Sequence, residues 1–203
     1  MRVDFQYSIR GHIMKRCPWS EINDLYIKYH DEEWGTPVHD DRKHFEFLVL
    51  ESAQAGLSWL TVLKKRENYR KAYDNFDPVK VSKYDNRKLE QLLSNEGIIR
   101  NRRKIESSIN NAKRFVAVQN EYGSFDKYIW SFVGNKSIVN KWKRDSEIPA
   151  RTSLSDLISN DLKKRGFTFV GSTILYAHLQ AIGIVNDHLV TCFRYKELCR
   201  NTY

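Results

Sequence analysis

Leu162-Lys-Lys-Arg-Gly166-Phe-Thr-Phe-Val-Gly171-Ser-Thr173 is the stretch that decides the fold of this 203-residue chain. Apolar residues at helical spacing lie on both sides of it, predicting helices over 154–165 and 173–182 joined by a tight turn. Glycine permits backbone geometry that exposes N–H groups, and the following helix adds the positive end of its dipole. Such a turn can hold a phosphate, with Lys163, Lys164 and Arg165 as counter-charge. Spacing alone equally permits an ordinary helical turn with a glycine cap. A second turn, Asn95-Glu-Gly97-Ile-Ile-Arg100-Asn-Arg-Arg-Lys104, carries basic residues just beyond its glycine. Two basic helical hairpins in one chain favour the phosphate reading for both.

Working outward from the hairpins, the periodicity is helical nearly everywhere. A helix over 41–57 opens at Asp40 or Asp41, puts Phe45, Leu48 and Ser52 on one stripe and ends near Gly56. Another runs from Trp59 to Tyr73, with Leu60, Leu63 and Tyr73 inward and Lys64, Lys65 and Arg66 outward. Asp77-Pro78 opens a short helix, and Leu89, Leu92 and Leu93 mark one that stops at Gly97. The longest, over 101–120, carries Ile105, Ile109, Ala112 and Val116. Residues 125–133 are short and aromatic, and 134–153 read as a loop. No stretch alternates at strand period and no repeat is present. The expected fold is all-α: an N-terminal extension over 1–15, then one domain over 16–200 that could form two lobes around a cleft.

Composition narrows the function. The chain has 34 Lys and Arg against 25 Asp and Glu, for a net charge of +9. Basic residues clustered beside hairpin turns make nucleic acid the expected partner. A hydrophobic content of 41% is enough for a packed core. No secretory leader is seen in the first sixteen residues, and no segment is apolar enough to cross a bilayer. The three cysteines are too few and odd in number for a disulfide framework, which suits a reducing cytoplasm.

Between Phe47 and Leu63 stands one charged residue, Glu51. A carboxylate in such surroundings is costly to ionise unless a ligand of opposite character meets it. Trp19, Tyr26, Tyr29, Trp34 and Trp59 bracket it in sequence. Aromatic walls around a carboxylate suit a cationic heteroaromatic ligand, although aromatics at helical spacing also read simply as core. Cys17 and His30 lie near one end of the chain, His188 and Cys192 near the other. If 188–192 is helical, the last two share a face. Two Cys and two His complete a tetrahedral zinc set with no position left for substrate, so the site would be structural. The alternative is two buried thiols and two surface histidines.

Several motifs resemble the bacterial 3-methyladenine DNA glycosylase I family. They include Arg16-Cys17-Pro-Trp19, Tyr26-Ile-Lys-Tyr29-His30-Asp31-Glu-Glu-Trp34-Gly35 and Leu50-Glu51-Ser-Ala-Gln54-Ala-Gly-Leu-Ser-Trp59. Lys64-Lys-Arg-Glu-Asn-Tyr69-Arg, Phe76-Asp77-Pro78, Trp130-Ser-Phe, Lys163-Lys-Arg-Gly166-Phe and Asn186-Asp187-His188 add to them. The likeness runs in register over about residues 16–192. It implies an all-α helix-hairpin-helix glycosylase with one structural zinc on Cys17, His30, His188 and Cys192. It also implies that Glu51 hydrogen-bonds the methylated base, Trp59 stacks on it and Tyr29 lines the pocket, with Trp19 and Tyr26 as further pocket residues. Lys163, Lys164, Arg165, Gly166 and Gly171 would contact DNA.

The implied reaction is hydrolysis of the N-glycosidic bond to 3-methyladenine in double-stranded DNA. It would free the base without cutting the strand, in a monomeric, cytoplasmic protein with no membrane contact. Ser52 stands where a glycine is expected, which would alter the pocket. Where the superfamily often has a catalytic aspartate this chain has Asn186, with Asp187 next to it, as a rival to Glu51 or a partner of His188. Two other readings compete: a non-catalytic zinc-stabilised protein that recognises alkylated or distorted DNA, and a zinc-dependent hydrolase.

Overall fold

A computed structural model of the chain describes residues 8–9 and 12–200, so most of the expected 1–15 extension lies outside the described residues. Ten α-helices are found among them. They are α1 (Asp24–Glu32), α2 (Asp41–Gln54), α3 (Trp59–Ala72), α4 (Pro78–Val81) and α5 (Asn86–Ser94). Then follow α6 (Arg102–Tyr122), α7 (Phe125–Ser131), α8 (Ser153–Lys164), α9 (Ser172–Ala181) and α10 (Phe193–Arg200). The all-α expectation holds.

At the centre lies α2. The Asp40 side chain accepts from the Lys43 backbone N–H at 2.8 Å and starts the helix. A single buried stripe was expected, but every residue from His44 to Ala53 is buried. The reason is packing: α3, α6, α7 and α9 all pack against this one helix. Asp41 reaches further, accepting from the Phe125 and Asp126 backbone N–H groups and so anchoring the start of α7.

Two corrections concern the loops. Residues 138–139 pair in parallel with 185–186 as a two-residue ladder, and a second such pair, antiparallel, joins 8–9 to 12–13. Elements this short show no alternation to detect. Residues 188–192 form turns rather than a helix, and α10 begins only at Phe193.

The hairpin forms as the sequence predicts. Thr152 and Ser155 close a capping box at the start of α8. Gly166 ends the helix in the left-handed region at φ 85°. A Cβ there would also come within 2.9 Å of Arg114 Nε. Leu162, Phe167, Val170 and Leu175 bury the inner side of the turn. Among the described residues no helix is long and apolar enough to cross a membrane.

Candidate active site

A cleft of about 400 Å³ opens where α1, α2, α3 and α9 meet the 3-10 turn over 18–22 and the loop before α8. Trp19, Tyr26, Tyr29, Trp34 and Trp59 line it as an aromatic wall. Trp19 meets Tyr26 and Trp34 edge-on, with centroids 5.8 and 5.0 Å away, and Tyr29 lies 5.4 Å from Trp59. The Tyr26 hydroxyl accepts from the Leu60 backbone N–H at 3.0 Å, pinning that ring to the first turn of α3.

Glu51 enters the same cleft from α2. Only 4% of it is exposed. Among the described residues its carboxylate has no hydrogen-bond or ion-pair partner. Burial pushes its pKa up to about 8. The Trp59 indole N–H is likewise buried without an acceptor. Unpaired buried polar groups are rare in a folded protein, and this one shares its cleft with the Glu51 carboxylate.

Sequence reading missed Gln54, Asp145, Ile148, Ala177 and Gln180, which complete the lining. Gln54 lies one helical turn beyond Glu51 and could have been found from that spacing. Asp145 and Ile148 come from the segment read as a structureless loop, and nothing local marks them. Ser52, expected to alter the pocket, does not line it. Its hydroxyl donates instead to the Phe169 carbonyl in the hairpin, at 3.3 Å.

Asp187 is buried outside the cleft lining. It accepts from Asn140 Nδ2, Trp142 Nε1, the Tyr176 hydroxyl and Gln180 Nε2. It therefore neither caps a helix nor supports His188, whose Nε2 pairs with the Trp34 carbonyl at 2.9 Å.

A larger cavity of about 620 Å³ lies on the other side of Tyr29. Its partly buried charges are paired: Glu33 binds Lys43 and Arg66, and Glu46 beneath the lining binds Arg66, Arg70 and Lys43, while Lys28 and Glu32 are exposed at its rim. The smaller cleft holds a buried carboxylate without a partner, Glu51, and is the better candidate.

The hairpin and the cleft share α9. Ala177 and Gln180 line the cleft, and Ala177 lies about 8 Å along the helix axis from Ser172. Lys163 and Lys164 are exposed. Arg165 is paired with Glu121 and Asp161 at 2.7 and 2.8 Å and lies over the Tyr122 and Tyr128 rings. At the start of α9, Gly171 supplies no side-chain cap, so the first N–H groups stay open. The second basic turn differs. Asn101 caps α6, Arg102 pairs with Glu90, and Lys104 donates to the Ala53 and Ala55 carbonyls at the end of α2.

Cys17, His30, His188 and Cys192 form a buried group whose ligand atoms all lie within 4.8 Å of one another, so they could hold a metal ion. The Cys192 sulfur is 3.4 Å from His30 Nε2 and 3.6 Å from His188 Nδ1, and Cys17 Sγ is 3.7 Å from His188 Nδ1. Sulfur and nitrogen ligands of a tetrahedral zinc stand about 3.6 Å apart. The outer ring nitrogens are engaged, that of His30 with Asp31 at 2.7 Å, and Arg16 in turn holds Asp31. The Leu189 N–H donates to Cys17 Sγ at 3.4 Å. Of the two coupled thiols, Cys192 is drawn well below the ordinary range by Cys17, His188 and His30, while the hydrogen bond to Cys192 and burial push Cys17 up. The donor set fits zinc. Gly35, at φ 77°, passes so close that a Cβ would stand 2.9 Å from His188 Nε2.

Fold and site together define a helix-hairpin-helix protein with an acidic, aromatic cleft that the second helix of the hairpin helps to line. Residues 19–195 match the methyladenine glycosylase family. The chain is 50% identical to DNA-3-methyladenine glycosylase 1 of Escherichia coli K12, over 90% of its own length and 97% of that protein. It is 47% identical to DNA-3-methyladenine glycosylase of Haemophilus influenzae, over 87% and 96%. A crystal structure of 3-methyladenine DNA glycosylase I superposes with a TM-score of 0.86 at 48% identity, covering 88% of this chain and 98% of that one. The Staphylococcus aureus enzyme, solved to show the basis of 3-methyladenine recognition, superposes with a TM-score of 0.85 at 35% identity, covering 89% and 96%. The chain belongs to the methyladenine glycosylase family.

Proposed function

We propose that this protein is a monofunctional DNA repair glycosylase that hydrolyses the N-glycosidic bond of 3-methyladenine in alkylated double-stranded DNA and releases the free base. The observation that carries the reading is Glu51, a buried and unpaired carboxylate in an aromatic cleft. A duplex hides its bases in the stack, so the nucleotide must be turned out into the cleft. Lys163 and Lys164, with the open N–H groups after Gly171, hold the backbone through its phosphates. Arg165, paired as it is, keeps the turn in shape together with Gly166.

Trp59 stacks on the extruded base, Tyr29 lines the pocket, and Trp19 and Tyr26 close the walls. N3-alkylation makes the base cationic and a good leaving group, so strong acid catalysis is not required. A cationic base favours the ionised form of Glu51, which burial otherwise keeps protonated. The carboxylate so formed recognises this base in preference to neutral adenine and stabilises the charge as the bond breaks. Water then attacks the sugar. Among the described residues no lysine lines the cleft, which supports base removal without strand cleavage.

The Cys17, His30, His188 and Cys192 set would hold one structural zinc. Four protein ligands close its coordination, and the ion would fix the two ends of the fold to each other. The protein would act as a cytoplasmic monomer, with residues 16–200 as its working domain and 1–15 as an extension.

The test is release of free 3-methyladenine from methylated duplex by purified protein and by Glu51→Gln. Loss of a charge-assisted contact of about 1.5–3 kcal/mol lowers release on the order of 10–100-fold, with duplex binding retained. No release by the native protein, with duplex binding retained, would favour a binding module that only recognises damaged DNA. Release unaffected by Glu51→Gln would take the recognition role away from Glu51.

A further inference from the structure

Gln180 stands on α9 in the wall of the cleft. Its amide nitrogen donates to Asp187 Oδ2 at 2.7 Å. The same carboxylate accepts from the Tyr176 hydroxyl at 2.5 Å and from Asn140 Nδ2 and Trp142 Nε1 at 2.7 Å each. An indole N–H can only donate and a carboxylate can only accept. Asp187 is fully buried, so it needs every one of these donors.

This arrangement removes a freedom that a glutamine normally has. A free side-chain amide can rotate to offer a ligand either its oxygen or its nitrogen. Were Gln180 to rotate, its oxygen would face the Asp187 carboxylate. The amide is therefore held one way round, and Oε1 has no partner among the described residues. The backbone is fixed as well, since the Gln180 carbonyl accepts from the Gly35 N–H at 3.0 Å.

We infer that Gln180 is a specificity-determining residue: Oε1, held as an acceptor by Asp187, receives the exocyclic amino group of a methylated adenine. Guanine carries a carbonyl oxygen at that position, and two acceptors would meet in the cleft. A site built to bond a donor rejects a ligand lacking it far more strongly than an apolar wall would. Asp187 acts through Gln180 and is a positioning residue. The inference rests on the glycosylase reading above and deepens it.

The experiment measures release of 3-methyladenine and 3-methylguanine from the same methylated duplex by the full-length protein. Gln180→Met keeps the volume and removes the acceptor. It lowers 3-methyladenine release about 10–100-fold and 3-methylguanine release much less, so the ratio of the two falls at least about tenfold. Asp187→Asn, which can itself donate and so lets the amide turn, lowers the same ratio with Gln180 intact. In the double variant it lowers the ratio no further. Thermal melting and bound-metal content verify that each variant is folded. An active native protein whose two release rates fall in equal proportion in Gln180→Met, or do not fall, overturns the inference and leaves the glycosylase reading standing. A native protein that releases neither base overturns both.

Discussion

Glu51 carries a cost that can be measured apart from any reaction. In the folded protein it holds its proton up to about pH 8 because it is buried, whereas an unfolded chain releases it near the ordinary glutamate value of about 4.3. Between those limits the native state binds more protons than the unfolded one, so stability falls as pH rises. Glu51→Gln removes that fall. Denaturation from pH 4.5 to 9 should show the variant gaining on the native protein by up to about 1.4 kcal/mol per pH unit, then running parallel to it above pH 8. Parallel curves throughout would mean that the carboxylate ionises freely in the fold. The sequence made this residue legible because one charge in an apolar run needs a reason. Gln180 was not legible. Its role depends on Asp187, Trp142 and Asn140, and no linear pattern brings those groups to α9.

At the scale of elements, the hairpin is shaped by helices distant in sequence. Asn111 on α6 pairs with both the N–H and the carbonyl of Thr168, at 2.9 and 2.8 Å. Asn110 donates to the Gly166 carbonyl at 2.8 Å, and Ser52 reaches Phe169 from the same helix as Glu51. Loop carbonyls are thus turned inward, and Phe169 is held at φ 54°, which few side chains adopt unaided. The two glycines and the flanking helices were readable from spacing, but these cross-links were not. Nor does the run Lys163-Lys164-Arg165 show in sequence that its members differ. The two lysines are free to meet phosphate, while Arg165 is bound to Asp161 and Glu121. Replacing both lysines by Gln should reduce the salt dependence of duplex binding by about 1.8 in log–log slope with little change in melting temperature. Arg165→Gln should do the reverse, lowering stability with the slope nearly kept. Titration at several salt concentrations, with a thermal melt of each variant, separates the two. Equal slopes for all three proteins would place the phosphate contacts elsewhere.

For the molecule as a whole, the four-ligand cluster decides how the chain ends are tied to the cleft. Cys17 lies two residues before Trp19, and the His30 and His188 rings pack on Trp34, so three cleft or ligand elements share one junction. That these four residues come together was legible from their types, although a helix over 188–192 is not the means. A turn closed by the Cys192 N–H and the Leu189 carbonyl brings the two side chains together instead. If zinc occupies the cluster, removing it leaves two buried thiols and two buried imidazoles without their common partner. A loss of about 3–5 kcal/mol, as for a broken buried ion pair, lowers the melting temperature by about 6–20 °C in a chain of this length. Chelation and Cys192→Ala should give the same drop, and loss of base release should track the loss of folded protein. Metal analysis of the purified protein should find one ion per chain. A chelator that stopped base release while leaving the melt unchanged would assign the metal to the chemistry. A melt and an activity both indifferent to chelation, in protein shown to be metal-free, would mean that packing and hydrogen bonds alone hold the junction.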